Sequence, residues 1–105
     1  RSARKDDSVC RLGGEEFLMI CQNAELKAAL MAAERLRRMI EGLRINAGDG
    51  VFQVSISIGI ASREAAMSDA DDLVNAADRA LYRAKETGRN RSCVYIQGQL
   101  RTGPR

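Results

Sequence analysis

The sequence predicts an α+β domain in which helices pack on a mainly antiparallel sheet. Three observations carry that reading: short runs that alternate apolar and polar, two longer stretches with apolar residues every three or four positions, and turn-forming residues between them. At 105 residues the chain holds one compact domain. Its 45% hydrophobic and 30% charged residues are the balance of a folded protein rather than of a disordered tail.

In chain order, Ser8–Arg11 and Phe17–Cys21 alternate on either side of Gly13-Gly14. This predicts a tight hairpin, because both central residues of a primed turn need positive φ. Leu26, Ala29, Leu30, Ala33, Leu36, Ile40 and Leu43 form one face of an amphipathic helix, with Glu34, Arg37, Arg38 and Glu41 on or near its solvent side. Gly42 marks its stop. Asn46-Ala47-Gly48-Asp49-Gly50 is turn chemistry. Phe52, Val54, Ile56, Ile58 and Ile60 then alternate with Gln53, Ser55, Ser57 and Gly59, the clearest strand pattern in the chain, with one apolar face and one small polar face. Ser68 or Asp69 caps a second helix, whose apolar face is Leu73, Ala76, Ala77, Ala80, Leu81 and Ala84 and which Gly88 ends. Ser92–Ile96 reads as a last short strand. The expected organisation is one domain over residues 1–97 and a flexible tail over 98–105, where two glycines and the single proline gather.

Composition excludes several classes of function. The net charge of +3 is too mild to argue for nucleic acid, and 4% aromatic residues are too few for an RNA-stacking sheet. No apolar run is long enough to span a membrane, and the Arg-rich start is not a signal peptide. The absence of histidine removes His-based catalysis and most zinc sites. Cys10, Cys21 and Cys93 are odd in number and widely spaced, which predicts small buried thiols in a reducing cytoplasm.

Two clusters could carry chemistry. Gly13-Gly14-Glu15-Glu16-Phe17 sets two carboxylates directly after a bare glycine turn, where backbone and ligand can approach closely and oxygen donors suit Mg²⁺. A solvated hairpin tip with two surface glutamates accounts for the same residues. Lys85 and Arg89, four apart around Gly88, could hold one polyphosphate together. Cations that stabilise a helix C-terminus account for them without any ligand, and taken alone these residues favour that reading. No P-loop pattern is present.

Arg11-Leu12-Gly13-Gly14-Glu15-Glu16-Phe17 resembles the signature of GGDEF-domain diguanylate cyclases in its GGEEF form. Val54–Ala61 resembles the family's later core strand. Ala77–Lys85 and Gly88-Arg89-Asn90 resemble its closing helix and loop. The blocks fall in the family's order from Arg4 to Tyr95. The resemblance implies a nucleotidyl-cyclase-like (ferredoxin-like) fold and a bacterial nucleotidyltransferase that condenses two GTP into cyclic di-GMP, releasing pyrophosphate. It implies two facing protomers, each holding one GTP. It further implies that Glu15 binds Mg²⁺ (or Mn²⁺) and assists deprotonation of the 3′-hydroxyl, with Glu16 as a further ligand. Gly13 and Gly14 would give the nucleotide room, and Lys85 and Arg89 would hold the β- and γ-phosphates. Arg4-x-x-Asp7 stands at the offset of the family's inhibitory RxxD site, and Arg35 matches a basic residue used for the same product.

The family also places a strand ending in a metal-binding aspartate, guanine contacts and two helices ahead of this point, and none of these is supplied before Arg4. The resemblance therefore implies the C-terminal two thirds of a catalytic domain, inactive alone, from a cytoplasmic or membrane-attached parent. It also implies that the hairpin and the Val54–Ile60 strand lack a central neighbour, so that the chain is expected to pair with another or to open. A cyclic di-GMP binding module without catalysis, and a purely structural module, remain the alternatives. Intact Glu15, Glu16, Lys85 and Arg89 speak for the enzyme, since a receptor has no need of them.

Overall fold

A computed structural model describes residues 8–12, 17–21 and 25–103. The elements are β1 (Ser8–Leu12), β2 (Phe17–Cys21), α1 (Leu26–Glu41), β3 (Ile45–Ala47), β4 (Gly50–Phe52), β5 (Ile58–Ser62), α2 (Ala70–Glu86), β6 (Ser92–Ile96) and β7 (Gln99–Thr102). Five strands form one sheet in the order β2-β1-β5-β6-β7, and β3 and β4 form a separate hairpin. Only the β5–β6 pair is parallel in the main sheet, because α2 carries the chain back between them. The predicted α+β class with a mainly antiparallel sheet is what is found.

The two-residue period of the central strands sorts the core into two sides. Ile58 and Ile60 of β5 and Val94 of β6 pack with Cys10 against Ala29 and Ala33 of α1. The alternate positions Ala61, Cys93 and Tyr95 pack against α2 through Leu73, Ala76, Ala77, Ala80 and Ala84. The helices therefore cover opposite faces of the sheet. The small face of the β5 pattern is not a solvent face: a Cβ on Gly59 would lie 2.2 Å from both the Ala77 carbonyl oxygen and the Leu81 nitrogen. Glycine is what lets α2 rest its backbone on the strand. Ile58 and Ile60 are fully buried, each contributing about 1.5–3 kcal/mol by transfer from water.

Local signals set the helix ends. Asp69 caps α2, accepting from Asp72 N–H at 3.0 Å, and the Asp72 carboxylate accepts in turn from Ser68 N–H. Asp71 and Asp72 in the first turn, and Arg83 and Lys85 in the last, complement the helix dipole. Gly42 ends α1 in right-handed backbone (φ −79°), so Leu43, the last residue of the predicted apolar stripe, falls outside the helix and is exposed, a correction to that face.

Four expectations are corrected. The long strand predicted from Phe52 to Ile60 is divided: β4 ends at Phe52, and β5 begins only at Ile58. Residues 53–57 lie before the start of β6 at Ser92, which pairs with Ile58, so alternation there has no ladder on that side; Val54 is exposed. Of the predicted Asn46–Gly50 turn only Gly48-Asp49 is the tip of the β3–β4 hairpin; Asn46 and Ala47 pair in β3 and Gly50 in β4, short strands that the turn signal alone did not show. Residues 99–102 do not fray. Gln97 (φ 47°) and Gly98 (φ 82°) make a two-residue turn of the primed kind, and β7 pairs with β6 from Ile96–Gln99 to Cys93–Thr102. Lastly, no unpaired interior edge opens beside β5. β1 pairs with it antiparallel from Ser8–Ser62 to Leu12–Ile58, since a buried ladder left open would leave backbone groups unsatisfied at about 1–3 kcal/mol each.

Candidate functional site

The site is built at the C-terminal end of α2. Lys85 stands in the helix's last turn, half-buried, and Thr87 caps the helix through its N–H and Oγ1, both donating to the Arg83 carbonyl. Gly88 takes φ 127°, and Arg89 and Asn90 then take φ 63° and 47°. The Arg89 N–H returns to the Ala84 carbonyl at 2.9 Å, a six-to-one closure of the Schellman kind. The Arg89 carbonyl accepts from Arg91 Nε at 3.0 Å. The Arg89 side chain is exposed. A helix C-terminus repels anions through its dipole, and the cations Arg83, Lys85 and Arg89 gathered here oppose that field.

Under this loop runs a buried polar network. Arg37 of α1 is 4% exposed and Glu34 5%, although their positions read as the helix's wet side. The Arg37 guanidinium donates to both Glu34 oxygens, at 2.9 and 3.1 Å. It also donates from Nη1 to the Asn90 side-chain oxygen at 3.0 Å and to its carbonyl at 3.4 Å. Glu34 accepts a further bond from Ser92 Oγ at 2.7 Å. Asn90 donates from its amide to Glu41 and from its backbone to Ser57 Oγ. Burial pushes the Glu34 carboxyl up, but the hydrogen bonds from Arg37 and Ser92 and the charges of Arg37 and Arg38 outweigh it, leaving its pKa below the usual carboxylate range. The expectation that Glu34 and Arg37 are solvated is thus corrected: a salt-bridged pair with every strong group satisfied is tolerated inside. Opposite charges three apart beside the apolar stripe were the available signal.

Of the predicted site residues, the structure places Lys85 and Arg89 at one helix end. Arg35 lies elsewhere, exposed on α1, lining an open cleft of about 480 Å³ with Met31, Glu34, Arg38 and Met39. Arg4, Asp7, Gly13, Gly14, Glu15 and Glu16 lie outside the described residues. Among the described residues, no three acidic or thiol groups gather into a metal site. No helix among them is long and apolar enough to cross a membrane. Cys10 and Cys93 are buried thiols, as predicted, and burial pushes the Cys93 thiol pKa up.

Comparison with known proteins places this geometry. The family described as diguanylate cyclase, GGDEF domain, matches residues 1–91. Diguanylate cyclase A of Treponema denticola is 40% identical over 88 residues, covering 84% of this chain and 24% of that protein. Diguanylate cyclase DgcM of Escherichia coli K12 is 43% identical over 89 residues, 85% of this chain and 21% of that protein. The chain thus spans about a quarter of the length of these curated relatives. Among solved structures, the active GGEEF domain of a diguanylate cyclase from Vibrio cholerae superposes with a TM-score of 0.74 at 32% identity, covering 84% of this chain and 56% of that one. The GGDEF domain of DgcB from Caulobacter crescentus, in complex with c-di-GMP, gives 0.73 at 27% identity, covering 79% of this chain and 50% of that one. With the signature in sequence and the fold in register, the chain belongs to the diguanylate cyclase GGDEF-domain family.

Proposed function

We propose that this chain is the phosphate-handling and signature-bearing part of a diguanylate cyclase, which joins two GTP into cyclic di-GMP with release of pyrophosphate. The observation that carries the reading is the pairing of Lys85 and exposed Arg89 around the Gly88 turn, in a chain whose first 91 residues match the family. Two cations at one helix end can act as a charge clamp for the β- and γ-phosphates, and neutralising the leaving pyrophosphate is where phosphoryl transfer gains most.

On this reading Glu15 assists deprotonation of the 3′-hydroxyl, and Gly13 and Gly14 leave room for the bound nucleotide. Glu15 and Glu16 are carboxylate donors of the kind Mg²⁺ or Mn²⁺ takes. When bound, such an ion would supply charge neutralisation on the triphosphate. Two protomers face each other so that each 3′-hydroxyl reaches the other's α-phosphate, which makes a homodimer the working unit. Arg4 and Asp7, with Arg35 on α1, form the product's inhibitory site, where the planar guanidinium stacks on guanine and forks to phosphate.

The test is calorimetric binding of GTP and cyclic di-GMP to the chain and its variants. Arg89→Ala and Lys85→Ala should each weaken GTP about tenfold or more, the loss of a charge-assisted contact of about 1.5–3 kcal/mol. Arg4→Ala should weaken cyclic di-GMP and leave GTP untouched. The 105 residues by themselves should make no cyclic di-GMP at a useful rate, since they include no aspartate-ended strand ahead of Arg4. Steady turnover abolished by Glu15→Ala would refute that part. Binding of cyclic di-GMP with no binding of GTP would replace the enzyme with a receptor.

A further inference from the structure

Two consecutive non-glycine residues, Arg89 and Asn90, stand in left-handed backbone. Asparagine enters that region readily, but arginine does so only where its surroundings hold it. Helix closure accounts for one restraint, the Arg89 N–H on Ala84. Arg91 Nε, on the Arg89 carbonyl, is a second. The rest converge on Asn90. Arg37 grips its carbonyl and its side-chain oxygen, Glu41 takes its amide, and Ser57 accepts its backbone N–H. Arg37 cannot swing away, because its other face is locked on Glu34, which Ser92 holds in turn. The network thus joins α1, the segment before β5 and the start of β6 around the one residue that follows Arg89.

We propose that Arg37 and Asn90 are positioning residues for the phosphate clamp: they hold the Gly88–Asn90 loop in its left-handed form and so present the Arg89 guanidinium in a binding geometry before the nucleotide arrives. The proposal rests on the reading of Arg89 as a phosphate ligand. Its physical content is preorganisation. A loop already ordered spares the ligand the entropy of ordering it, and an arginine aimed in advance gives a stronger contact than one that must be recruited. An ion pair this deeply buried contributes little net stability compared with apolar residues of its size, so a task of this kind accounts for its presence.

The test measures the affinity of the chain for GTP with Mg²⁺ and for cyclic di-GMP by calorimetry, with melting curves as the folding control. Cyclic di-GMP lacks β- and γ-phosphates and is read as docking at a separate site, so the ratio of the two affinities reports the clamp, whereas a general loss of structure lowers both. Arg89→Ala should reduce the ratio about tenfold or more. Asn90→Gly keeps the left-handed backbone accessible but removes the side-chain anchors to Arg37 and Glu41, leaving the weaker carbonyl contact to Arg37 and the N–H contact to Ser57. It should reduce the ratio about fivefold and speed amide hydrogen exchange at Arg89. Arg37→Lys, which cannot fork to both Glu34 and Asn90, should act in the same direction. A ratio unchanged in Asn90→Gly while Arg89→Ala lowers it would overturn the positioning role and leave the phosphate reading standing. A ratio unchanged in Arg89→Ala would overturn the phosphate reading, and the positioning role with it. Should Arg37→Lys fail to fold, Asn90→Gly decides the matter alone.

Discussion

Gly59→Ala is the sharpest probe of how α2 sits on the sheet. The added methyl would meet the Ala77 carbonyl oxygen and the Leu81 nitrogen at 2.2 Å, and Leu81 Cα at 2.7 Å. Comfortable contacts to carbon begin near ~3.5 Å, so the strand and the helix must separate by roughly 1 Å. Every atom in the way belongs to the helix backbone, which no rotamer change can clear. β5 cannot retreat either, because it is paired to β1 on one side and β6 on the other. Overpacking costs about 1–3 kcal/mol where side chains can adjust. Lifting α2 also strips contact from Leu73, Ala76 and Ala77, where a gap of up to ~1 Å forfeits a quarter to a half of the dispersion energy. Together these place the loss at roughly 3–4 kcal/mol, out of about 5–15 kcal/mol for a domain. At about 4–8 °C per kcal/mol, the melting temperature should fall by roughly 12–30 °C. Gly48→Ala is the control. Gly48 has φ 59° with nothing within 4 Å of an added Cβ, so only the backbone penalty of about 1 kcal/mol applies. Circular dichroism melts of the two variants decide the matter. If Gly59→Ala melts no lower than Gly48→Ala, the close approach of α2 to β5 is wrong.

Three further outcomes are expected. Arg37→Met strands the Glu34 carboxylate and should cost about 3–5 kcal/mol in urea titrations, much of which the double variant Glu34→Leu/Arg37→Met should recover, because the buried charge goes with its partner. Glu34 has its folded pKa depressed, so its stabilisation is complete above the ordinary carboxylate value of about 4.3 and is lost as pH falls from there through the folded value. Urea midpoints should drop through that window, and Glu34→Gln should flatten the acid limb while lowering stability at neutral pH. The Cys93 thiol, buried and raised in pKa, should resist iodoacetamide at neutral pH until urea unfolds the chain, as peptide mass spectrometry would show; rapid labelling of the folded chain would contradict its burial.

Some of this structure was legible in the residues, and the reasons differ by element. The 3.6-residue period found both helices, and the Ser68 or Asp69 cap and Gly88 marked the ends of α2, the cap being Asp69. Alternation found β1, β2 and β6, whose lengths match their runs to within a residue. It overreached at Phe52–Ile60, because a period-two pattern says which faces a chain could present and not where its partners stop. Lys85 and Arg89 were legible as a pair from their spacing. Arg37 and Asn90 were not legible as a unit, since they stand 53 positions apart.

By itself, the sequence determined the α+β class, the order of the main elements, the family through its Gly13–Phe17 signature, and the cations at the end of α2. These are local or short-range properties, set by side-chain period, capping and spacing along the chain. Only the tertiary structure decided that α1 and α2 lie on opposite faces, that β1 stands directly beside β5, and that residues 99–102 pair rather than fray. It also decided that Glu34 and Arg37 are interior. A charged pair at the margin of an apolar stripe is compatible with water or with burial. What settles it is the arrival of Ser92 and Asn90 from the far end of the chain, which completes the hydrogen bonds that a buried charge requires.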